Sequence, residues 1–321
     1  MEPLGHKNDQ SLSVELPRQT ISIGGGKGGV GKSLVAISLA YWLGRLKKRV
    51  ILMDGDFGGA NLHTMLGNRM PEVTLEDFLL RRVENLEEVL QETFMPNVSL
   101  LAGGMDIPSL ANPNFSRKTR ILRAIDKLDT DFLLVDLGAG TNLTALDFFL
   151  ASPRKIVVLR PQPTSVQNAY GFIKAALYRK ISRILWPTPL RGLLDGSGDH
   201  PDESIPRSVE EIFEEVSSEI PESLPAITQA VESFHVDIIL NMVRDPREKR
   251  IAEVIHEVCR QHLQIGSTTL GSIPFDMSCE RWATRMNQGT FAQNAQDGAL
   301  KSAYQIAYNL ITQPEARDAA A

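Results

Sequence analysis

The chain has 321 residues, 42% hydrophobic and 23% charged, which excludes collagen, a disordered tail and a disulfide scaffold and suits one large folded unit. Its net charge of −5 argues against a general nucleic-acid binder, and two cysteines outside any C-x-x-C pair, Cys259 and Cys279, point to a reducing compartment, the cytoplasm. No apolar run reaches the ~20 residues of a spanning helix, and the opening MEPLGHKNDQ carries acids where an export signal carries bases, so neither export nor membrane spanning is expected.

Residues 1–19 read as a flexible tail. Beyond them, short runs rich in Val, Ile and Leu at 20–23, 50–53, 131–135, 155–160, 235–240 and 268–273, bounded by Gly, Pro or Asp, predict strands buried on both faces. Helical patterns alternate with them at 32–46, 115–127, 143–150, 164–184, 247–262 and 299–311. The alternation predicts an α/β fold, a doubly wound, mostly parallel sheet with helices on both faces, forming one unit over 20–312 with a second tail at 313–321. Ligands in such folds sit beyond the carboxyl ends of the strands, so the segments after each apolar run carry the functional reading.

One stretch breaks the pattern. Residues 187–232 hold eleven acids against Arg191 and Arg207, leaving 32 bases and 28 acids elsewhere, and they include six prolines and a Gly-Ser-Gly. This reads as an acidic insertion of loops and short helices, a solvated flap. Its Ile212, Phe213 and Val216 are expected to form a small apolar face that docks a protein partner.

Directly after the first strand comes Gly24-Gly25-Gly26-Lys27-Gly28-Gly29-Val30-Gly31-Lys32-Ser33, then a helical run beginning at Leu34. Gly26, Gly31, Lys32 and Ser33 satisfy G-x-x-x-x-G-K-[ST] between strand and helix, the context that motif requires. Glycines let backbone N–H groups close around phosphate oxygens and the helix start adds its positive end. Lys32 then reaches the β- and γ-phosphates while Ser33 ligates Mg²⁺.

Lys27 adds a second lysine, giving K-G-G-x-G-K-S. This loop resembles the deviant phosphate loop of the MinD/ParA family of ATPases, and the resemblance runs from Ile21 to about Leu310, apart from the acidic insertion. It implies ATP and Mg²⁺ as ligands, a P-loop fold of the SIMIBI type, and an ATP-dependent homodimer. In that dimer Lys27 would cross to the phosphates held by the partner subunit. The same resemblance implies that Gly26, Lys27, Gly28, Gly29, Val30, Gly31, Lys32, Ser33 and Leu34 surround the nucleotide, with Lys27 and Lys32 acting in catalysis.

After the second strand, RVILM, come Asp54-Gly55-Asp56, and after FLLV comes Asp136-Leu137-Gly138-Ala139-Gly140-Thr141. The first pair resembles the family's first switch, in which Asp56 positions the attacking water and Asp54 supports Mg²⁺ through water, so the resemblance puts both in the expected metal set with Ser33 and Asp136. The second resembles a Walker B strand running into the second switch, with Asp136 on a magnesium-bound water. Asn241 ends a later strand, where the resemblance implies a carboxamide on the adenine edge. Gly271-Ser272-Ile273-Pro274-Phe275-Asp276 is similar to the family's I-P-x-D loop, so Pro274 and Asp276 are expected at the base.

The segments D-L-G-A-G-T and R-P-Q-P-T-S-V-Q-N-A-Y-G-F-I-K are most similar to the MinD and FlhG (FleN) branch, which governs flagellar number or cell-pole placement. A protein partner is expected. The final residues lack the basic amphipathic helix of MinD, so membrane association is expected to be weak or indirect, through polar or peripheral recruitment. A ParA-type DNA partitioner is the alternative, using Arg117, Lys118, Arg120, Arg123, Lys127, Arg244, Arg247, Lys249 and Arg250 as a basic surface. A binding module without hydrolysis is the other. An iron–sulfur carrier would need thiolates near a dimer axis, and neither cysteine lies in such a motif.

Overall fold

The protein is described from a computed structural model over residues 20–57, 59–68, 71–103, 115–190, 193–194, 208–279, 282, 291–292, 294–295 and 298–312. The two tails at 1–19 and 313–321 and the middle of the acidic stretch lie outside the described residues.

Eight strands, β1 (Thr20–Gly24), β2 (Val50–Gly55), β3 (Leu90–Glu92), β4 (Val98–Leu101), β5 (Phe132–Leu137), β6 (Arg154–Leu159), β7 (His235–Val243) and β8 (Gly266–Pro274), form one sheet in the order β3-β4-β2-β5-β1-β6-β7-β8. All neighbours are parallel except β3, which runs antiparallel to β4 at the edge. The helices given ranges among the described residues are α1 (Lys32–Arg45), α2 (Leu62–Met65), α3 (Leu75–Leu79), α4 (Phe115–Ile125), α5 (Leu143–Ala151), α6 (Pro163–Leu185), α7 (Val209–Glu219), α8 (Leu224–Glu232), α9 (Ile251–Val258) and α10 (Ser302–Thr312).

Apolar residues on both sides of each central strand explain the layering. In β5, Leu133, Val135 and Leu137 join one buried cluster with α3 to α9, while Phe132 and Leu134 join another with α1 and α10. Strand side chains alternate, so the two clusters cover opposite faces. The parallel register sets Ile23 beside Asp136 and Asp136 beside Asp54, aligning three strand ends on one rim.

The six expected strands are all present, with ends displaced by up to three residues: four are extended, while β5 and β6 are shifted. The edge pair β3 and β4 and the one-turn helices α2 and α3 escape the sequence reading because three to five residues give no measurable period. The expected helix at 247–262 is three pieces: a 3₁₀ turn at Pro246–Arg250, α9, and a π turn at Cys259–Leu263 closing on Gln264 in a left-handed conformation.

The acidic stretch requires a correction. Its described part is not a solvated flap, since Val209, Ile212, Val216, Ile220, Ile227 and Val231 belong to the buried cluster beneath α6 and β7. Ile212 and Val216 have no exposed surface, so the apolar face assigned to a partner is core. The spacing 209, 212, 216, 220 is the inward stripe of a helix whose other sides carry the glutamates. Net charge registered the outward sides alone.

Candidate functional site

The phosphate loop spans the gap between β1 and α1, and its shape is forced by close approach. Gly31 caps α1 with a left-handed backbone, φ 88°, and a Cβ there would overlap the Asn241 carboxamide. A Cβ at Gly26 would overlap the Asn168 carbonyl of α6. Neither position admits another residue without moving a neighbour. The first turn of α1 carries no acid and no side-chain cap, so its N–H groups and dipole face the loop.

Lys32, in that turn, is 7% exposed. Burial pushes its ammonium below the usual lysine range, and Asp136 and Asp56 oppose the shift. Ser33 hydrogen-bonds Asp136, whose carboxyl burial drives up to about 7, with Asp54 and Asp56 adding repulsion and Ser33 and Lys32 resisting. Asp136 Oδ1 is buried without a hydrogen-bond partner.

Asp54 is raised to about 6, mainly by burial. Its Oδ1 accepts from Asp56 N at 3.2 Å and its Oδ2 from Asn61 N at 2.9 Å and Leu62 N at 3.0 Å. Asp54 therefore folds the following loop around itself and starts α2. Asp56 is half-buried and lies over the second glycine loop, where a Cβ at Gly138 would come 2.9 Å from its Cγ. The two carboxylate segments touch through this pair.

These residues fit a magnesium ion. Three carboxylates crowd a rim where Lys32 supplies the nearby positive charge, and one buried carboxylate oxygen lacks a partner. Among the described residues no group of three His, Cys, Asp or Glu side chains could hold a metal unaided. The set suits an ion that keeps several waters and takes one hydroxyl and substrate phosphates rather than a protein cage. Backbone N–H groups bond both Asp54 oxygens, so this carboxylate braces the loop beside any support it gives the ion through water.

Lys27 stands exposed at the crest of the loop beside Gly28 and Gly29. Val30 is buried and Leu34 half-buried at the loop's end.

The residues expected at the base also make bonds within the fold. Asn241 is 1% exposed; its Nδ2 donates to the Val30 carbonyl at 2.8 Å and its Oδ1 accepts from Met242 N at 2.9 Å. It ties β7 to the phosphate loop. Met242 explains the aim: with φ 59° it is the extra residue of a bulge where β7 slips against β8.

Asp276 accepts from Ser278 N at 2.7 Å, Asn294 Nδ2 at 3.0 Å and Ala299 N at 3.2 Å. Burial works against its charge, but these bonds hold the carboxyl below its ordinary range. It braces its own loop. Pro274 is exposed at the end of β8. Beside it lies a feature the sequence reading missed: the Arg244 guanidinium stacks 3.8 Å over the Phe275 ring, and Phe275 N donates to Val243 O at 2.8 Å.

Behind the second glycine loop, Asn142 Oδ1 caps α5 by accepting from Ala145 N at 2.8 Å. One turn on, the buried Asp147 meets Lys118, Arg179 and Arg183. Burial would raise its carboxyl, but the three cations outweigh it and hold it low. This cluster locks α5 to α4 and α6, and it takes Lys118 out of the expected basic surface.

The family model described as ParA, NUBPL iron-transfer P-loop NTPase, matches residues 17–182, and the chain belongs to that family of P-loop NTPases. It is 34% identical over 161 residues to the antiactivator FleN of Pseudomonas aeruginosa, covering 49% of this chain and 56% of FleN. It is 32% identical over 161 residues to the flagellum site-determining protein YlxH of Helicobacter pylori, covering 48% and 52%. The chain thus spans about half the length of these curated relatives. Its fold is that of the cell division ATPase MinD of Pyrococcus furiosus, with TM-score 0.59 at 22% identity over 92% of this chain and 99% of that one.

Proposed function

We propose that the chain is a magnesium-dependent ATPase acting as a dimerising switch of the FlhG/MinD type, hydrolysing ATP to ADP and phosphate to control the number or position of a structure such as a flagellum or the division site. The observation that carries this reading is the convergence of Lys32, Ser33, Asp56 and Asp136 on one rim while Lys27 stays exposed. Lys32 and the first turn of α1 bind phosphate oxygens. Ser33 would ligate the ion and Asp136 a water bound to it, and the ion would draw negative charge from the β- and γ-phosphates. Asp56 orients water in line with the γ-phosphate, and its contact with Gly138 links the two switch loops. Lys27 reaches a second copy's phosphates, so hydrolysis awaits pairing, as with a charged finger supplied in trans.

The similarity to FleN and YlxH supports a flagellar role among these placements, with a cytoplasmic protein recruited to a pole or membrane by its partner. Among the described residues no helix is long and apolar enough to cross a membrane. The burial of Lys118 weakens the DNA-partitioning alternative. Both cysteines are buried and their thiols are pushed up to about 12, which does not suit iron–sulfur transfer.

Light scattering with and without Mg-ATP tests the reading. ATP drives monomer to dimer, and turnover per chain rises with protein concentration and stays below the ~10 s⁻¹ of a median enzyme. Hydrolysis at a concentration-independent rate by a monomer refutes the shared site; a dimer without hydrolysis establishes the binding module instead.

A further inference from the structure

Away from the phosphate loop, α3, the segment at 81–87 and α4 enclose a cleft of about 620 Å³. Four cations line it, Arg81, Arg120, Arg123 and Lys127, against Glu84 and Glu87. None of the four takes part in a salt bridge with a described residue. The neighbouring Arg82 shows the contrast, since it pairs with Asp77 at 2.9 Å. Arg81 itself sits in the left-handed region at φ 60°, a conformation an L residue adopts only when held there.

Arg120 is the anchor. Its guanidinium lies 4.3 Å over the Phe78 ring, which fixes the plane, yet its Nη1 is buried without a hydrogen-bond partner. A buried, charged donor with no acceptor is costly, and native structures rarely leave one unexplained. Arg120 and Arg123 are three residues apart on α4 and Lys127 lies in the turn just past its end, so their charges add on one wall. A pre-oriented fork with a free N–H beside two further cations matches the planar, multiply charged oxygens of phosphoryl and carboxylate groups.

We propose that this cleft is a second ligand site, for a small multivalent oxyanion carrying phosphoryl or carboxylate groups, gripped by Arg120 and Arg123 with Arg81 and Lys127 around it. The concavity is within the size range of small-molecule sites. Glu84 and Glu87 would oppose the continuous phosphate backbone of a nucleic acid while leaving room for a compact anion. Among the described residues, none lining the cleft belongs to the phosphate loop or to the strand-end carboxylates, so the site stands apart from nucleotide binding.

Calorimetric titration of the full-length Lys32→Ala variant, in which the phosphate loop no longer competes, tests this with two probes, pyrophosphate and tricarballylate. Binding of one equivalent is expected for at least one probe, and which one binds tells phosphoryl from carboxylate preference. Arg120→Gln should weaken it about tenfold or more and Arg123→Gln several-fold, the scale of a lost charge-assisted hydrogen bond. Arg120→Lys should recover part of the loss. Arg123 is exposed, so its substitution leaves folding intact even where loss of the Arg120 stack on Phe78 does not. Absence of heat for both probes at about 1 mM, or binding indifferent to Arg123→Gln, overturns the proposal. Tighter binding of a short DNA duplex with the same sensitivity overturns it in favour of a polymer surface.

Discussion

Asn241→Ala separates two accounts of the same residue. If the carboxamide held adenine, its loss would reduce affinity for ATP and leave GTP largely unaffected. The observed bonds lead elsewhere. Removing the side chain strands the Val30 carbonyl, which accepts from Nδ2 at 2.8 Å, and the Met242 N–H, which donates to Oδ1 at 2.9 Å, in a place that is 1% exposed. At about 1–3 kcal/mol for each of the two buried groups left unpaired, the cost is roughly 2–6 kcal/mol of folding stability, lowered where water enters. The phosphate loop also loses the wall that sets Gly31. Equilibrium urea unfolding should report the stability loss, and titration with fluorescent ATP and GTP analogues should show both affinities falling by a similar factor. A Gly31→Ala change should be less damaging in the Asn241→Ala background than alone, because the clashing atom is gone. Loss of ATP affinity with GTP binding and stability unchanged would refute the brace and restore the base contact.

Three substitutions around the phosphates should give three phenotypes in nucleotide-binding and light-scattering assays: Lys32→Ala loses nucleotide, Asp56→Ala binds it and accumulates dimer without turnover, and Lys27→Ala binds it yet neither dimerises nor hydrolyses. Normal turnover by Lys27→Ala would remove the trans role. Asp147→Asn leaves Lys118, Arg179 and Arg183 around a neutral group and should cost about 3–5 kcal/mol in chemical denaturation at neutral pH. The Asp147 carboxyl is held below its unfolded value, so its stabilisation is present above about pH 4 and fades as pH falls through the lower folded pKa. The gap between wild type and variant should close only in acid. Deleting 209–232 should unfold the protein by circular dichroism, since the removed helices fill the core under β7.

How much of this was legible in the sequence depends on whether a residue's role is set locally. The central strands were readable because burial on both faces demands unbroken runs such as Phe132–Leu137. The phosphate loop was readable because its chemistry needs glycine and lysine at fixed spacing. Strand β4 was not, since Val98–Leu101 is short and follows Pro96-Asn97 like any turn. The acidic helices were misjudged for another reason. Charge counts weigh every residue equally, whereas folding weighs the four that face inward, and Val209, Ile212, Val216 and Ile220 decide where α7 lies.

At the site itself, a polar group is drawn into the fold wherever it lies closer to backbone than to the rim. Asp54 and Asp56 are two residues apart at the end of one strand, and sequence reasoning gave both to the metal. Asp54 ends up nearly enclosed with three backbone N–H groups, while Asp56, past the strand end, reaches Gly138. The inward carboxylate fixes the loop that carries the outward one. The same division holds for Asn241 and Arg244, where one bulge residue, Met242, turns the amide into the fold and leaves the arginine stacked on Phe275. A backbone slip of one residue exchanges the faces of a strand, and no pattern of side chains alone announces it. Each strand end therefore offers the ligand only those groups the backbone has not already claimed, which makes the unpartnered Asp136 Oδ1 and the exposed Lys27 the most informative atoms on the rim.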